Sequence, residues 1–196
     1  MTNARALVLG VMALALGACA QGAPRPSFAE PSFRHHQPIR LAVDEIEIVS
    51  DYRSPLSRPN VEHELPVAPE RALRRWAAER LVAMGGPGRR ARFVIEEAGV
   101  TETALARETG LRATFTTQQA LRYDGLLRAT LEIRTERANT SDGFATATVT
   151  RFRTVPENVS LNERDRFRHA LVEGLMADFN AELERQIRAN LAPFLR

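Results

Sequence analysis

The chain has 196 residues, of which 44% are hydrophobic and 26% are charged, with a formal net charge of +3 at pH 7. This composition is typical of a globular protein, and no apolar run reaches the roughly 20 residues that cross a bilayer as a helix. A single cysteine excludes an internal disulfide.

The amino terminus has the pattern of a secretory signal peptide. Arg5 gives a short positive region, and an apolar run from Ala6 to Leu16 follows it. The run is broken only by Gly10, and its eleven residues are too few to span a membrane, but they are typical of the hydrophobic region of a signal. We expect residues 1–18 to be removed from the mature chain.

The signal ends in Leu16, Gly17, Ala18 and Cys19. This stretch resembles the bacterial lipobox, and the resemblance implies an S-diacylglycerol and an N-acyl chain on Cys19. An ordinary signal with a chance cysteine and a buried amino-terminal helix remain as alternatives. Ala20 follows the cysteine in place of Asp, which in such lipoproteins favours retention in the inner membrane. The resemblance therefore implies the outer membrane, where several acyl chains would anchor the protein firmly.

Residues 19–38 are predicted to form a proline-rich tether with little apolar periodicity. His35 and His36 lie in this segment, and we interpret them as solvated because no other metal-ligand residue is near them in the sequence. Residues 39–196 then form a single domain, long enough for a substantial core.

The domain begins with a predicted strand from Ile39 to Tyr52, in which a bulge near Asp44 and Glu45 would keep the apolar residues on one face. A proline-rich loop follows. Apolar residues at helical spacing predict an amphipathic helix from Pro69 to Met84. The glycine cluster after it is interpreted as a cap and turn, because a phosphate loop would precede its helix and end in Gly-Lys-Ser/Thr.

All 27 basic residues of the chain are arginines, and the densest group lies in and after this helix. Glu70 and Glu79 are the only acidic residues there. The group is a candidate contact for anionic lipid headgroups, since guanidinium groups bind phosphate in a bidentate manner; a solvated helix face is the simpler alternative. Its members are Arg71, Arg74, Arg75, Arg80, Arg89, Arg90 and Arg92.

Strand patterns dominate the middle of the chain. A second strand is predicted from Arg90 to about Leu105. From Ala113 to Ile133 apolar residues then occupy the odd positions, which predicts one long strand with a wet face. A kink at Asp124 and Gly125 is preferred, and a hairpin there is the alternative. We expect a turn over residues 139–143 and a further strand over residues 144–155.

The last element is a helix that begins at a capping box of Ser160 and Glu163. Apolar residues recur at every fourth position, so the row advances by about 40° per step and winds around the helix. Either the helix bends near Gly174 or Asn180, or it is clamped between the sheet and the first helix, or its end offers an apolar face to a partner. The partner face would consist of Leu183, Ile187 and Leu191.

These elements predict an α+β fold, in which a mainly antiparallel sheet is packed on one face by two helices in the order strand, helix, strands, helix. The order, the size and an amino-terminal lipid resemble two groups of envelope lipoproteins. The run from Ala147 to Arg153, with Ser160 to Glu163 leading into the last helix, is similar to the end of the LptE lipopolysaccharide-assembly family. Residues 57–61 and 75–77 are similar to auxiliary lipoproteins of ABC-type lipid transporters.

The sequence contains no motif of a hydrolase or a nucleotide-binding enzyme. His169 could pair with Asp165 or Glu173 at helical spacing, but such pairs are usually surface ion pairs. We expect no enzyme activity, no metal and no cofactor beyond the lipid on Cys19.

We therefore predict a non-catalytic component that assists an envelope lipid or lipopolysaccharide transport or assembly complex. A lipoprotein that acts alone and binds lipid or a small ligand between sheet and helices is the alternative, and an envelope hydrolase without a recognisable motif is a third. Export makes nucleic acid an unsuitable partner despite the pI near 9.9.

Overall fold

The computed structural model describes residues 27–86, 88–106, 118–135 and 140–196. Six strands and two helices make up these ranges, with two short 3-10 turns at Glu62–Glu64 and Ala192–Phe194. Their bounds are β1 Ile39–Leu41, β2 Glu45–Ser50, α1 Pro69–Arg80, β3 Leu81–Ala83, β4 Arg89–Ala104, β5 Gln119–Thr135, β6 Thr140–Pro156 and α2 Leu161–Asn190.

The main sheet has four strands in the order β2-β4-β5-β6. Its two long pairs, β4 with β5 and β5 with β6, are antiparallel, whereas β2 runs parallel to β4. The predicted α+β fold is confirmed, but the sheet is mixed. The parallel pair arises because α1 lies between its two strands in the chain, and a parallel pair needs such a crossover.

The first predicted strand is in fact two strands, and the expected bulge is a break. β1 pairs in parallel with β3 in a separate two-stranded sheet, and only β2 joins the main sheet. The predicted first helix is also too long, since it ends at Arg80 and the next three residues form β3. Both errors have the same cause. β1 pairs with β3, and the two strands are far apart in the chain because α1 and the segments before it lie between them.

Strand β5 runs without interruption through Asp124 and Gly125, so the hairpin alternative is wrong. Its odd positions from Tyr123 to Ile133 face the core, as the alternation predicted. Residues 113–117, which the prediction included in this strand, lie outside the described residues. β6 begins at Thr140, so residues 140–143 belong to a strand where a turn was expected.

Both helices cover one face of the sheet, and aromatic side chains fill the space between the layers. The Trp76 ring lies 5.6 Å from Phe93 and meets Phe179 edge-on at 5.4 Å. Its indole N–H donates a 2.9 Å hydrogen bond to the buried amide oxygen of Asn180. This pairing satisfies two buried polar groups at once and fixes α1 against α2.

Residues 28–38, called the N-terminal strap from here on, pack against the helices. Phe33 is buried, and its backbone N–H donates a 2.6 Å hydrogen bond to Glu79 of α1. The carbonyl of Gln37 accepts from Arg80, and the carbonyl of Ala29 accepts from His169 of α2. The predicted boundary at residue 38 is therefore corrected: the folded domain includes the strap, because its backbone and Phe33 find partners that composition does not reveal.

Candidate binding groove on the open sheet face

The face of the sheet opposite the helices carries a groove of about 710 Å³. Its floor follows two rows of residues that lie side by side on β4, β5 and β6. One row is Gly99, Leu126 and Thr150, and the next is Thr101, Asp124 and Phe152. The sequence predicted a wet face here, and the structure shows that this face is concave.

One wall of the groove is the loop of residues 51–60, which leaves the sheet where β2 ends. Tyr52 lies across the floor, and its hydroxyl would come within 3.3 Å of a Cβ placed on Gly99. Glycine at this position therefore gives the phenol its space. The loop also pairs with the edge of β4, since the N–H of Val61 donates to the carbonyl of Val100 at 2.8 Å.

A buried carboxylate fixes this wall. Glu62 accepts hydrogen bonds from the Tyr52 hydroxyl at 2.8 Å, from the Ser54 hydroxyl and from the N–H of Val100 at 3.3 Å. Burial tends to raise the pKa of Glu62, but these hydrogen bonds stabilise its charged form and the net shift is downward. Burial and the bond to Glu62 raise the pKa of Tyr52. Tyr52 therefore stays protonated and holds the loop in place.

On the β6 side, the floor carries an aromatic ring that an ion pair holds in place. The guanidinium of Arg122 lies 4.1 Å from the centroid of the Phe152 ring, in the geometry of a cation-π contact. Asp124 accepts from two nitrogens of Arg122 at 2.7 to 2.9 Å, and this hydrogen bonding raises the pKa of Arg122. The bidentate pair fixes the guanidinium, and the guanidinium in turn fixes the ring.

The lining of the groove has both charge signs, with acidic residues in excess. Its acids are Asp51, Glu96, Glu97 and Asp124, and its bases are Arg53, Arg122 and Arg151. Arg122 is paired with Asp124, and Arg151 is paired with Asp178 of α2 at 2.9 Å. Among the described residues, Arg53 is the one arginine of the lining without an ion pair, and the lining holds three further acids. Such a surface disfavours anionic ligands.

The predicted lipidation site, Cys19, lies outside the described residues, as does the whole signal segment 1–18. No helix in the described ranges is long and apolar enough to span a bilayer. Within the same ranges, no three His, Cys, Asp or Glu side chains are grouped so that they could bind a metal ion.

The structure separates the predicted arginine group into two sets, one on α1 and the other on β4. Each member is ion-paired within the chain, mostly to acids that are distant in sequence. Arg80 is 1% exposed and donates to Glu184 and to Gln37, so it cannot contact a headgroup. The pairs are Arg71–Glu30, Arg74–Glu70, Arg75–Glu79, Arg80–Glu184, Arg89–Asp142, Arg90–Glu45 and Arg92–Glu47. The expected basic patch is thus neutralised by the fold.

The predicted partner face is buried in the chain's own core. Leu183, Ile187 and Leu191 are at most 1% exposed, so they offer no apolar surface. Ile187 lies beside residues 37–40 and the carboxyl-terminal residues, which cover the winding part of the row. The row is thus covered within the domain, although by these segments and not by the first helix as the clamp hypothesis had it. α2 is one continuous helix over Leu161–Asn190.

Sequence reasoning missed the groove and its ring. Phe152 occupies a wet-face position of β6, where a large apolar side chain is unusual, and it is 59% exposed. A large apolar residue at a position on the wet face is the sequence signal that could have revealed the groove. The residues of the loop wall gave no such signal, because their position depends on the buried Glu62.

Comparison with protein-family models gives no match, and no curated protein matches the sequence. The chain is similar in structure to the rare lipoprotein B from Shewanella oneidensis, with 9% identity and a TM-score of 0.37 over 74% of this chain and 96% of that one. It is similar to a minor lipoprotein from Acinetobacter baumannii, with 11% identity and a TM-score of 0.34 over 74% of this chain and 93% of that one. It is also similar to a protein from Xanthomonas campestris, with 9% identity and a TM-score of 0.33 over 86% of this chain and 92% of that one. Similarity at this level does not transfer function.

Proposed function

We propose that the protein is a lipid-anchored envelope protein, acylated at Cys19 and held at the periplasmic leaflet of the outer membrane. In this proposal it assists a lipid or lipopolysaccharide transport or assembly complex and catalyses no reaction. The observation that carries the proposal is the order of a positive region, an apolar run, Leu16 and Cys19 at the amino terminus. The resemblance of this order to a lipobox supplies the anchor.

The N-terminal strap supports a close link between this anchor and the domain. Seven residues separate Cys19 from Ser27, the first residue that the structure describes. Even a fully extended chain covers at most about 3.6 Å per residue, so Ser27 would lie within roughly 30 Å of the lipid. The strap leaves the domain on its helix side, beside His169 of α2. The anchor would then hold the helix layer towards the membrane, and the open sheet face would remain accessible to other molecules.

The contacts of His169 support a role without catalysis. Its Nε2–H donates a 2.7 Å hydrogen bond to the carbonyl of Ala29, and its ring packs 5.0 Å from Phe28. Glu173, which the sequence offered as a partner for acid-base chemistry, is 3.4 Å from the other ring nitrogen. The histidine that came nearest to a catalytic pattern therefore binds the strap.

Two measurements on the native protein test the proposal. Radiolabelled palmitate should enter the wild-type protein and should not enter a Cys19→Ser variant; equal labelling of both would refute the anchor. Crosslinking in the intact envelope should then recover a specific β-barrel or transporter partner. Recovery of the monomer alone at native expression would contradict the assembly role.

A further inference from the structure

The open sheet face carries an aromatic ring that the fold does not use. Phe152 is 59% exposed, although it lies among threonines and charged residues. Arg122 covers one side of the ring at 4.1 Å, and Asp124 holds the guanidinium by two hydrogen-bonded nitrogens. The ring is therefore fixed before any ligand arrives. A fixed apolar surface binds a ligand at a lower cost in conformational entropy than a mobile one does.

Polar side chains converge on the same groove. Asn60 comes from the loop wall, Thr101 from β4 and Thr150 from β6. Within the part of the chain that the structure describes, none of these three side chains donates or accepts a hydrogen bond. Their amide and hydroxyl groups offer donors and acceptors together. A volume of about 710 Å³ is also within the usual range for small-molecule sites.

The charges of the lining narrow the class of ligand. Arg122 and Arg151 are neutralised by their own partners, which leaves Arg53 against Asp51, Glu96 and Glu97. This balance disfavours phosphates and carboxylates. The many charged groups around the open groove equally disfavour a fatty acyl chain, since a buried charge without a partner is costly. A neutral ligand with hydroxyl groups and one apolar face satisfies both conditions.

We propose that this groove is a binding site for a neutral saccharide, one ring of which stacks on Phe152. A sugar ring presents C–H bonds on one face and hydroxyl groups at its rim. The C–H face would lie on the exposed part of the phenyl ring, and the hydroxyl groups would meet Asn60, Thr101 and Thr150. This site is separate from the proposed assembly role, because sugar binding and partner capture are independent measurements.

The test uses the full-length lipidated protein in a detergent without sugar groups. Titration calorimetry with maltotetraose, cellotetraose and chitotetraose should show saturable binding of at least one tetrasaccharide. Glucose 6-phosphate, as an anionic probe, should bind more weakly. Phe152→Leu removes the ring but keeps an apolar side chain, and it should weaken binding by at least about tenfold.

Phe144 provides a matched control, since it is 61% exposed on the same face of the same strand and is not part of the groove. Phe144→Leu should leave the affinity within about twofold of the wild-type value. Should Phe152→Leu fail to fold, Thr150→Val tests the polar rim with little change in shape and should also weaken binding. The proposal is overturned if no tetrasaccharide binds, if the phosphorylated sugar binds most tightly, or if both phenylalanine variants lose affinity equally.

Discussion

Two glutamates on α1 differ in how much of the structure depends on them. Glu79 is 7% exposed and accepts hydrogen bonds from the backbone of Phe33 at 2.6 Å, from Ser32 at 3.1 Å and from Arg75 at 2.9 Å. Glu70 makes a single pair with Arg74 at the protein surface. An exposed ion pair usually contributes little to the stability of the fold. A buried carboxylate that accepts several hydrogen bonds stabilises the segments that donate them. In this chain it joins the N-terminal strap to α1.

Replacing Glu79 by Gln should therefore lower the free energy of unfolding by about 1 to 3 kcal/mol at pH 7. Burial tends to raise the pKa of Glu79, but the hydrogen bonds outweigh it and lower the pKa from 4.5 to about 2. Because the folded-state pKa is depressed, this stabilisation is complete above pH 4.5 and is lost as the pH falls through about 2. Urea unfolding at several pH values should show the wild-type and Glu79→Gln curves converging in that window. Glu70→Gln, the matched control, should change stability by less than about 0.5 kcal/mol.

Gly125 is a second residue whose identity is fixed by packing. A Cβ atom at this position would lie 2.4 Å from a methyl carbon of Leu175, which is fully buried on α2. Gly125→Ala should therefore destabilise the protein by about 1 to 3 kcal/mol, because α2 must move or Leu175 must leave its rotamer. Denaturant unfolding of a double-mutant cycle with Leu175→Ala should show that the alanine costs less once the leucine is shortened. Additive effects of the two substitutions would contradict a direct contact.

At the scale of elements, the sequence predicted correctly those features that interactions within a single segment determine. The alternation of β5 predicted its buried face, and the capping box predicted the start of α2, because each signal lies within one segment. The end of α1 could not be predicted in this way. Leu81 fits the helical row and is buried in the structure too, but it is buried in β3, opposite Ile39 of β1. A pairing between residues about forty positions apart leaves no periodic trace in either segment.

The groove could be predicted only in part, for a similar reason. Alternation predicted that one face of the sheet is wet, and it placed Asp124 on that face. Phe152 lies on a different strand. Their register as direct neighbours depends on the pairing of β5 with β6. The ion pairs of the arginine group could not be predicted either, because most of its acidic partners come from distant parts of the chain. These partners are Glu30, Glu45, Glu47, Asp142 and Glu184.

The start of α2 also allows a test at this scale. Ser160 accepts from the N–H of Glu163 at 3.2 Å, and Glu163 accepts from the N–H of Ser160 at 2.8 Å. Ser160→Ala should cost about 1 kcal/mol of stability, because it leaves an N–H of the first turn without its partner. Glu163→Gln should lose less, since an amide oxygen still accepts the reciprocal bond. Thermal unfolding measures both, and an equal loss in the two variants would contradict the roles assigned to them.

At the scale of the whole molecule, the chain forms a sheet with one face covered by two helices and the other open. The N-terminal strap lies on the outside of the helix layer and joins both helices through Glu79 and His169. β1 and the carboxyl-terminal turn close the far end, where Leu41 and Leu195 form a bridge. The strap and the groove therefore lie on opposite sides of the sheet, the strap on the helix side and the groove on the open face.

An experiment can distinguish a strap that packs on the domain from a free tether. Phe33 is 5% exposed, and the N–H of His36 donates to its carbonyl at 3.0 Å. Phe33→Ala should release the strap at a cost of up to about 3 kcal/mol, while the main sheet stays folded because it shares no hydrogen bond with Phe33. Hydrogen exchange should then show a loss of protection at His36 with unchanged protection in β5 and β6. Limited proteolysis should cut residues 28–38 readily in the variant and slowly in the wild-type protein. Rapid cleavage in the wild-type protein would mean that this segment is a tether after all, and the proposed anchor would then leave the orientation of the domain unconstrained.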